Sequence, residues 1–156
     1  MTYLGAPKYQ GMGLLDLLLV LVIASLLAAV AVPAYDQFID RTKVSRAVDD
    51  LGTISLVIVR FRVENNDHLP ASLSELPIEI PLDPWGAPYQ YLNIVAAGPG
   101  NGNFRKHGRL IPLNSDFDLY SMGADGESKG PLSARSSRDD IVRANSGGFI
   151  GLATEY

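Results

Sequence analysis

The sequence predicts an α+β fold in which one long N-terminal helix packs against a small antiparallel β-sheet. Three observations predict it. Residues 14–34 form an almost continuous apolar segment, and apolar residues then recur every three or four positions as far as Phe61. From residue 69 onward, short segments of strand composition alternate with clusters of Pro, Gly, Asn and Ser. A helical period followed by a strand period is typical of a helix that covers one face of a sheet.

The apolar segment is long enough to cross a membrane. Of the 21 residues at 14–34, 18 are apolar, and a helix from Leu14 to Val32 reaches about 28 Å, close to the roughly 30 Å hydrocarbon thickness. The alternative is a cleaved secretory signal with a site at Ala29-Val30-Ala31. The segment exceeds the usual apolar length of such a signal, however, and the helical pattern continues beyond Pro33. We therefore expect a membrane span.

The same helix is expected to run from about residue 14 to residue 64 and to become amphipathic in its second half. A proline inside a helix removes a hydrogen bond and crowds the preceding turn, so Pro33 is expected to kink it. An apolar stripe along the second half is predicted to face the sheet. It consists of Val44, Ala47, Val48, Leu51, Ile54, Ile58 and Phe61.

Composition excludes several classes of function. The formal charge of −4, from 13 basic and 17 acidic residues, argues against a protein that coats nucleic acid. The absence of cysteine excludes disulfides, thiolate metal sites and thiol catalysis, and the two separated histidines do not suggest a zinc site. No hydrolase or nucleotide-binding motif occurs. We therefore expect no enzymatic activity.

The N-terminal residues carry a specific pattern: Gly11-Met12-Gly13-Leu14-Leu15-Asp16, the apolar segment, and then Ala31-Val32-Pro33-Ala34-Tyr35. This pattern resembles the leader and N-terminal helix of type IV pilins and type II secretion pseudopilins. In that family a prepilin peptidase cuts after the glycine and the new N-terminus is methylated. With Met12 as the first mature residue, Asp16 is fifth and Pro33 twenty-second, the family's positions for its acidic residue and its proline. The usual residues are phenylalanine first and glutamate fifth.

The resemblance implies three regions: a prepilin leader at 1–11, a transmembrane and polymerisation half of the helix at 12–35, and a periplasmic head at 36–156. It also implies that Asp16 meets the N-terminal amine of a neighbouring subunit. The alternative is an interfacial aspartate that reaches water. Basic residues in loops tend to stay in the cytoplasm. One basic residue, Lys8, precedes the span and three follow it, Arg41, Lys43 and Arg46, so their distribution does not favour a cytoplasmic N-terminus. That orientation therefore rests on the resemblance.

Within the head, strands are predicted at Tyr89–Val95, Arg109–Leu113 and Phe117–Ser121, and a turn at Asp83–Pro88. Residues 69–76 are expected to form a turn and a short helical element, with Ser72 and Glu75 at capping-box spacing. Trp85 is expected to anchor the sheet by packing. Residues 98–103 are interpreted as a flexible hairpin loop, and the basic residues 105–109 as a solvated hairpin tip.

The segments DPWGAPYQY and FDLYSMGADG are similar to the head of the pseudopilin family, closest to its major subunit. In that family the following loop binds calcium. The matching residues here are Met122, through its carbonyl, and Asp125, while Asp139 or Asp140 could supply the second carboxylate. Oxygen ligands in an irregular loop suit calcium. The alternative is a solvated loop whose acids are neutralised by Lys129, Arg135, Arg138 and Arg143.

These features together predict a structural subunit of a pilus-like filament, matured by prepilin peptidase and polymerised through its N-terminal helix. The expected partners are copies of the chain itself, the peptidase, the inner-membrane assembly platform and other pseudopilins. The expected location is the inner membrane, with one pass and a periplasmic head. The alternative is an anchored or secreted pilin-like protein that binds DNA or surface ligands through the basic tip.

Overall fold

The computed structural model describes residues 13–98 and 102–156. The predicted leader at 1–11 and Met12 lie outside the described residues, as do three residues of the predicted loop at 98–103. The chain divides into two compact units with the boundary between Asp40 and Arg41. The α+β fold class is confirmed, and the two units are described in turn.

Helix α1, Leu14–Glu64, begins in the first unit and contains Pro33. Its first turn is closed by the Gly13 carbonyl, which accepts the N–H groups of Asp16 and Leu17. All side chains from residue 14 to residue 38 are exposed. Among the helices that the structure describes, α1 is the one whose length and apolar composition suffice to cross a membrane.

In the second unit, the amphipathic half of α1 packs on a sheet as the apolar stripe predicts. Ala47, Leu51, Ile54 and Ile58 are at most 1% exposed and pack with Phe117 and Leu119 of the sheet. Val44, Val48 and Phe61 border the same core, and so does Trp85, as predicted. Burial of apolar surface at about 25 cal/mol per Å² is the main source of this contact's stability.

The sheet has four antiparallel strands in the order β1-β2-β3-β4. The strands are β1 Gln90–Asn93, β2 Phe117–Ser121, β3 Ile141–Ala144 and β4 Phe149–Leu152. A four-residue helix α2, Ile94–Ala97, follows β1, and 3₁₀ turns lie at Leu73–Glu75, Arg135–Ser137, Asn145–Gly147 and Ala153–Glu155. The second strand matches its prediction, while β3 and β4 were not predicted.

Two strand predictions need correction. The predicted strand Tyr89–Val95 ends at Asn93, because the Asn93 side chain accepts the N–H of Ala96 and caps α2. The predicted strand Arg109–Leu113 is a turn instead. His107 and Leu110 exchange two backbone hydrogen bonds there, which close the chain on itself.

The turns before β1 agree with expectation only in part. At Asp83–Pro88, the Asp83 carboxylate accepts the N–H groups of Trp85 and Ala87 and holds the predicted turn. The predicted capping box is not formed. Ser72 makes no side-chain cap, its hydroxyl pairs with Ser74, and the Glu75 carboxylate accepts the N–H of Ala71.

Candidate functional site

Asp16 lies in the first turn of α1 and is exposed. Its Oδ2 accepts the N–H of Gly13 over 3.1 Å, which is the acidic half of a capping interaction, because Gly13 directly precedes the helix. A carboxylate here also complements the positive end of the helix dipole. Gly11 and Met12, the predicted cleavage and methylation residues, lie outside the described part of the chain.

The apolar half of α1 offers an uncovered hydrophobic surface. Leu14 and Leu15 are each 80% exposed, and the apolar side chains that follow are also largely open. Contiguous apolar surface of this extent marks a membrane or protein contact. Asp16 is the one charged residue between Gly13 and Tyr35, so any partner that covers this surface must accommodate its carboxylate.

The loop between β2 and β3 brings Asp125 and Asp139 together. Asp139 Oδ2 accepts the N–H groups of Ala124, over 2.8 Å, and of Asp125, over 3.0 Å. Gly123 has a φ of +66°, and a Cβ there would lie 2.3 Å from the Asp139 carbonyl oxygen, so the close approach requires glycine. Asp125 Oδ1 accepts the N–H of Glu127 over 2.8 Å.

Asp140, the other candidate carboxylate, binds Arg105. Both residues are buried, and Arg105 Nη2 lies 2.5 Å from Asp140 Oδ2. The same Oδ2 accepts the Ser128 hydroxyl over 2.6 Å, and Arg105 Nη1 donates to Ser128 Oγ and to the Lys129 carbonyl. Burial raises the pKa of Asp140, and the bonds from Ser128 and Arg105 offset only part of that rise.

The burial of Arg105 corrects the interpretation of residues 105–109 as a solvated tip. Arg105 is 2% exposed and its guanidinium carbon lies 4.2 Å from the centroid of the Tyr120 ring. Only the residues after it belong to the surface. The pairing of Arg105 with Asp140 spans 35 positions in the chain, and no local sequence pattern signals it.

A second ion pair, between the buried Arg143 and the half-buried Asp116, was also not foreseen. Arg143, which the metal-free alternative assigns to the loop acids, donates from Nη1 and Nη2 to the two oxygens of Asp116, each over 2.8 Å. Burial by itself raises the pKa of Asp116, but the bonds from Arg143 and from the Phe117 N–H outweigh it and hold the pKa below its ordinary value. An arginine within the apolar strand Ile141–Ala144 was the available signal.

The oxygen atoms that the loop between β2 and β3 offers are relevant to calcium binding. Among the described residues, no three Asp, Glu, His or Cys side chains come together as a metal site. Asp125 and Asp139 lie together, and each accepts its hydrogen bonds through a single carboxylate oxygen. Two carboxylates with backbone carbonyls and water suit calcium, which prefers oxygen ligands. Asp140 already has a guanidinium partner and is left out of this set.

A cavity of about 580 Å³ lies where α1 ends. It is lined in part by Arg62, Asp67, Asn93 and Asp116, and none of the predicted site residues borders it. Its charges are largely paired, because Arg62 lies 3.0 Å from Asp67 and Asp116 binds Arg143. The cavity therefore presents no unmatched charge that selects a ligand.

The chain is similar to the type II secretion system core protein G of several bacteria. It is 29% identical to that of Pseudomonas aeruginosa over 144 residues, which cover 79% of this chain and 89% of the relative. The Escherichia coli K12 protein is 28% identical over 141 residues, covering 77% and 85%. The Pectobacterium carotovorum protein is 26% identical over 139 residues, covering 76% and 78%.

No family model matches the chain, and no solved structure matches it significantly. The relatives nonetheless confirm the resemblance that the N-terminal and head motifs predict, because the similarity extends over more than three quarters of the chain. The chain is thus similar to the type II secretion system core protein G over most of its length.

Proposed function

We propose that this chain is a structural subunit of the filament of a type II secretion system. The observation that carries the proposal is its similarity, over 144 residues, to a core protein of that system. The fold supports it independently, because an uncovered apolar helix of membrane length precedes a folded head. Such a helix can be stored in a membrane and later buried among the helices of other copies.

Maturation is proposed to remove residues 1–11. The support is the spacing of Gly11, Met12 and Asp16 before the apolar segment. A prepilin peptidase would cut between Gly11 and Met12 and methylate the new amine. The regions then follow: a leader at 1–11, a polymerisation segment at 12–35 and a periplasmic head at 36–156.

Polymerisation is proposed to use Asp16 and the apolar surface around it. A carboxylate inside a hydrocarbon layer costs a few kcal/mol and generally requires a partner. The amine of Met12 in a neighbouring copy supplies the opposite charge, and its pairing with Asp16 would fix the axial register of the two helices. Pro33 belongs to the same segment and is proposed to set the path of the helix in the filament.

The location proposed is the inner membrane, with a cytoplasmic N-terminus, one span and a periplasmic head. This orientation rests on the similarity to the secretion proteins. Copies of the chain, other pseudopilins, the peptidase and the inner-membrane assembly platform are the proposed partners. The role is structural, without catalysis.

Calcium is proposed to bind the loop between β2 and β3. The Met122 carbonyl and the carboxylates of Asp125 and Asp139 would hold it, because Asp139 already lies against the backbone of Asp125. A bound calcium ion would supply positive charge to the carboxylates of Asp125 and Asp139. It would thereby stabilise the loop at the end of β2.

The test of the proposed function is filament assembly in cells that produce the full chain with a type II secretion system. Asp16→Ala is expected to abolish filaments while the protein remains in the membrane with a folded head. Asp16→Glu is expected to retain them, because the carboxylate is kept. Asp36→Ala, at an exposed acid further along α1, is the matched control. Normal filaments from Asp16→Ala would contradict the role of Asp16, and the absence of filaments from the unsubstituted chain would contradict the function.

A further inference from the structure

The head carries two exposed surfaces that are both apolar at their centre and opposite in charge. The acidic surface lies on the segment before β1 and the basic surface on the turn between α2 and β2. The acidic surface consists of Glu75, Ile78, Glu79 and Leu82, and the basic surface of the exposed Arg109, Leu110 and Ile111 with the half-buried Lys106.

The acidic surface is anchored at two points of its segment. Ile78 is 39% exposed and Leu82 59%, while the residues beside them are fixed. Leu76 is buried in the core, and Leu82 forms an isolated bridge with Pro88. The segment 75–82 contains two acids and no basic residue. Its apolar side chains therefore remain at the surface next to negative charge.

The basic surface is anchored by backbone hydrogen bonds. Leu110 is 56% exposed and Ile111 59%. The paired hydrogen bonds between His107 and Leu110 close the turn, and the N–H of Lys106 donates to the Gly130 carbonyl over 2.9 Å. The segment 106–111 contains two basic residues and no acid. It is a local reversal of charge in a chain whose net charge is −4.

The two surfaces adjoin opposite edges of the sheet. The acidic segment adjoins β1, because Leu82 bridges to Pro88, two residues before β1 begins. The basic turn adjoins β4, because the His107 ring packs on Tyr156 and Tyr156 packs on Phe149. Strands β1 and β4 are the two edges of the four-stranded sheet.

We propose that the acidic surface of one copy binds the basic surface of the next copy along the filament, an inference that rests on the proposed function. A contact between two different surfaces of one chain repeats from copy to copy, and it builds a filament where the rotation between copies does not close a ring. The two surfaces are complementary in hydrophobicity, because both have an apolar centre, and in charge, because their charged residues have opposite signs. Glu79, Lys106 and Arg109 take part in none of the ion pairs found among the described residues.

Engineered cysteines provide the direct test, because the natural chain has none. The full chain carrying both Glu79→Cys and Arg109→Cys is assembled into filaments in cells with a type II secretion system and oxidised. A ladder of covalent trimers and larger species is expected. Each single cysteine variant is expected to remain monomeric, because residue 79 of one copy does not meet residue 79 of another, and residue 109 does not meet residue 109. Glu79→Cys with Ser133→Cys, at an exposed position outside both surfaces, is the control and is expected to give no ladder.

Charge reversal tests the same contact without cysteine. Glu79→Arg or Arg109→Glu alone is expected to reduce filament yield at least fivefold, and the two together in one chain are expected to restore it. Normal yields from both single variants, or filaments of the cysteine pair without a ladder, would overturn the inference and leave the proposed function standing. Dimers from a single cysteine variant would also overturn it, because they indicate a symmetric contact. Absence of filaments from the unsubstituted chain would reject the proposed function and this inference with it.

Discussion

Arg143 binds both oxygens of Asp116, with Nη1 and Nη2 each 2.8 Å from a different oxygen. The same guanidinium lies 3.9 Å from the centroid of the Phe117 ring and donates from Nε to Ser55 Oγ on α1. One side chain of β3 thereby joins the helix to the segment that enters β2. In a head without disulfides, this is a polar connection across the core.

The first prediction concerns the removal of Arg143. Arg143→Met is expected to lower the free energy of unfolding of the head by about 3–5 kcal/mol, because the substitution leaves the partly buried Asp116 carboxylate unpaired. Chemical denaturation of the full chain in detergent measures it. Arg138→Met, at an exposed arginine, is the control and is expected to change stability by less than about 0.5 kcal/mol. Equal effects from the two variants would contradict the importance of the pair.

The second prediction is the pH dependence of this pair. The pKa of Asp116 in the folded state lies below its ordinary value. The Asp116 carboxylate therefore contributes stability that is fully present above its unfolded pKa of about 3.9. This stability is lost as the pH falls through the folded pKa. The difference in unfolding free energy between the natural chain and Asp116→Asn is therefore expected to be constant from pH 7 to about pH 5 and to shrink below about pH 4. A difference that stays constant down to pH 2 would show that Asp116 does not titrate as proposed.

The third prediction concerns Arg105 and Asp140. Each of Arg105→Gln and Asp140→Asn is expected to destabilise the head by about 3 kcal/mol, because each leaves a buried partner without its counter-charge. The double variant is expected to lose at least 1 kcal/mol less than the sum of the two, as is found for groups in direct contact. Simple additivity in a double-mutant cycle would contradict a direct interaction between the two side chains.

The long helix and its buried face were predictable because both depend on local periodicity. Ala47, Leu51, Ile54 and Ile58 follow one another at helical spacing, and the structure buries all four. The strand Phe117–Ser121 was predictable from its flanking turn residues and apolar composition. Such patterns are set by neighbours in the sequence, so no knowledge of the tertiary structure is needed to find them.

The two missed strands and the ion pairs of Arg105 and Arg143 depend on distant parts of the chain. Strand β3 is buried on both faces, so Ile141–Ala144 shows no alternation of apolar and polar residues. Arg105 resembled a surface residue because Lys106 and Arg109 follow it, and only the fold brings Asp140 to it. For the same reason the sequence could not separate Asp139, which lies against Asp125, from Asp140, which does not.

The fourth prediction tests calcium binding at the loop. A chelator is expected to lower the melting temperature of the full chain, and added calcium is expected to restore it, because an ion that binds only the folded state stabilises that state. Asp125→Ala is expected to remove the response to calcium, whereas Glu127→Ala, at an exposed acid of the same loop, is expected to keep it. An identical melting curve with and without chelator would contradict the proposed site and favour a metal-free loop.

The measurement that tests the central claim most directly is the mass of the mature chain isolated from cells that contain a type II secretion system and its prepilin peptidase. Cleavage between Gly11 and Met12 predicts the mass of residues 12–156 plus one methyl group, with the methyl group located on the Met12 amine by fragmentation. Gly11→Ala, which alters the residue before the cut, is expected to leave the full-length mass. An intact leader in the natural chain, or a chain that begins at Val32 after cleavage as a secretory signal, would contradict the assignment of this protein as a filament subunit.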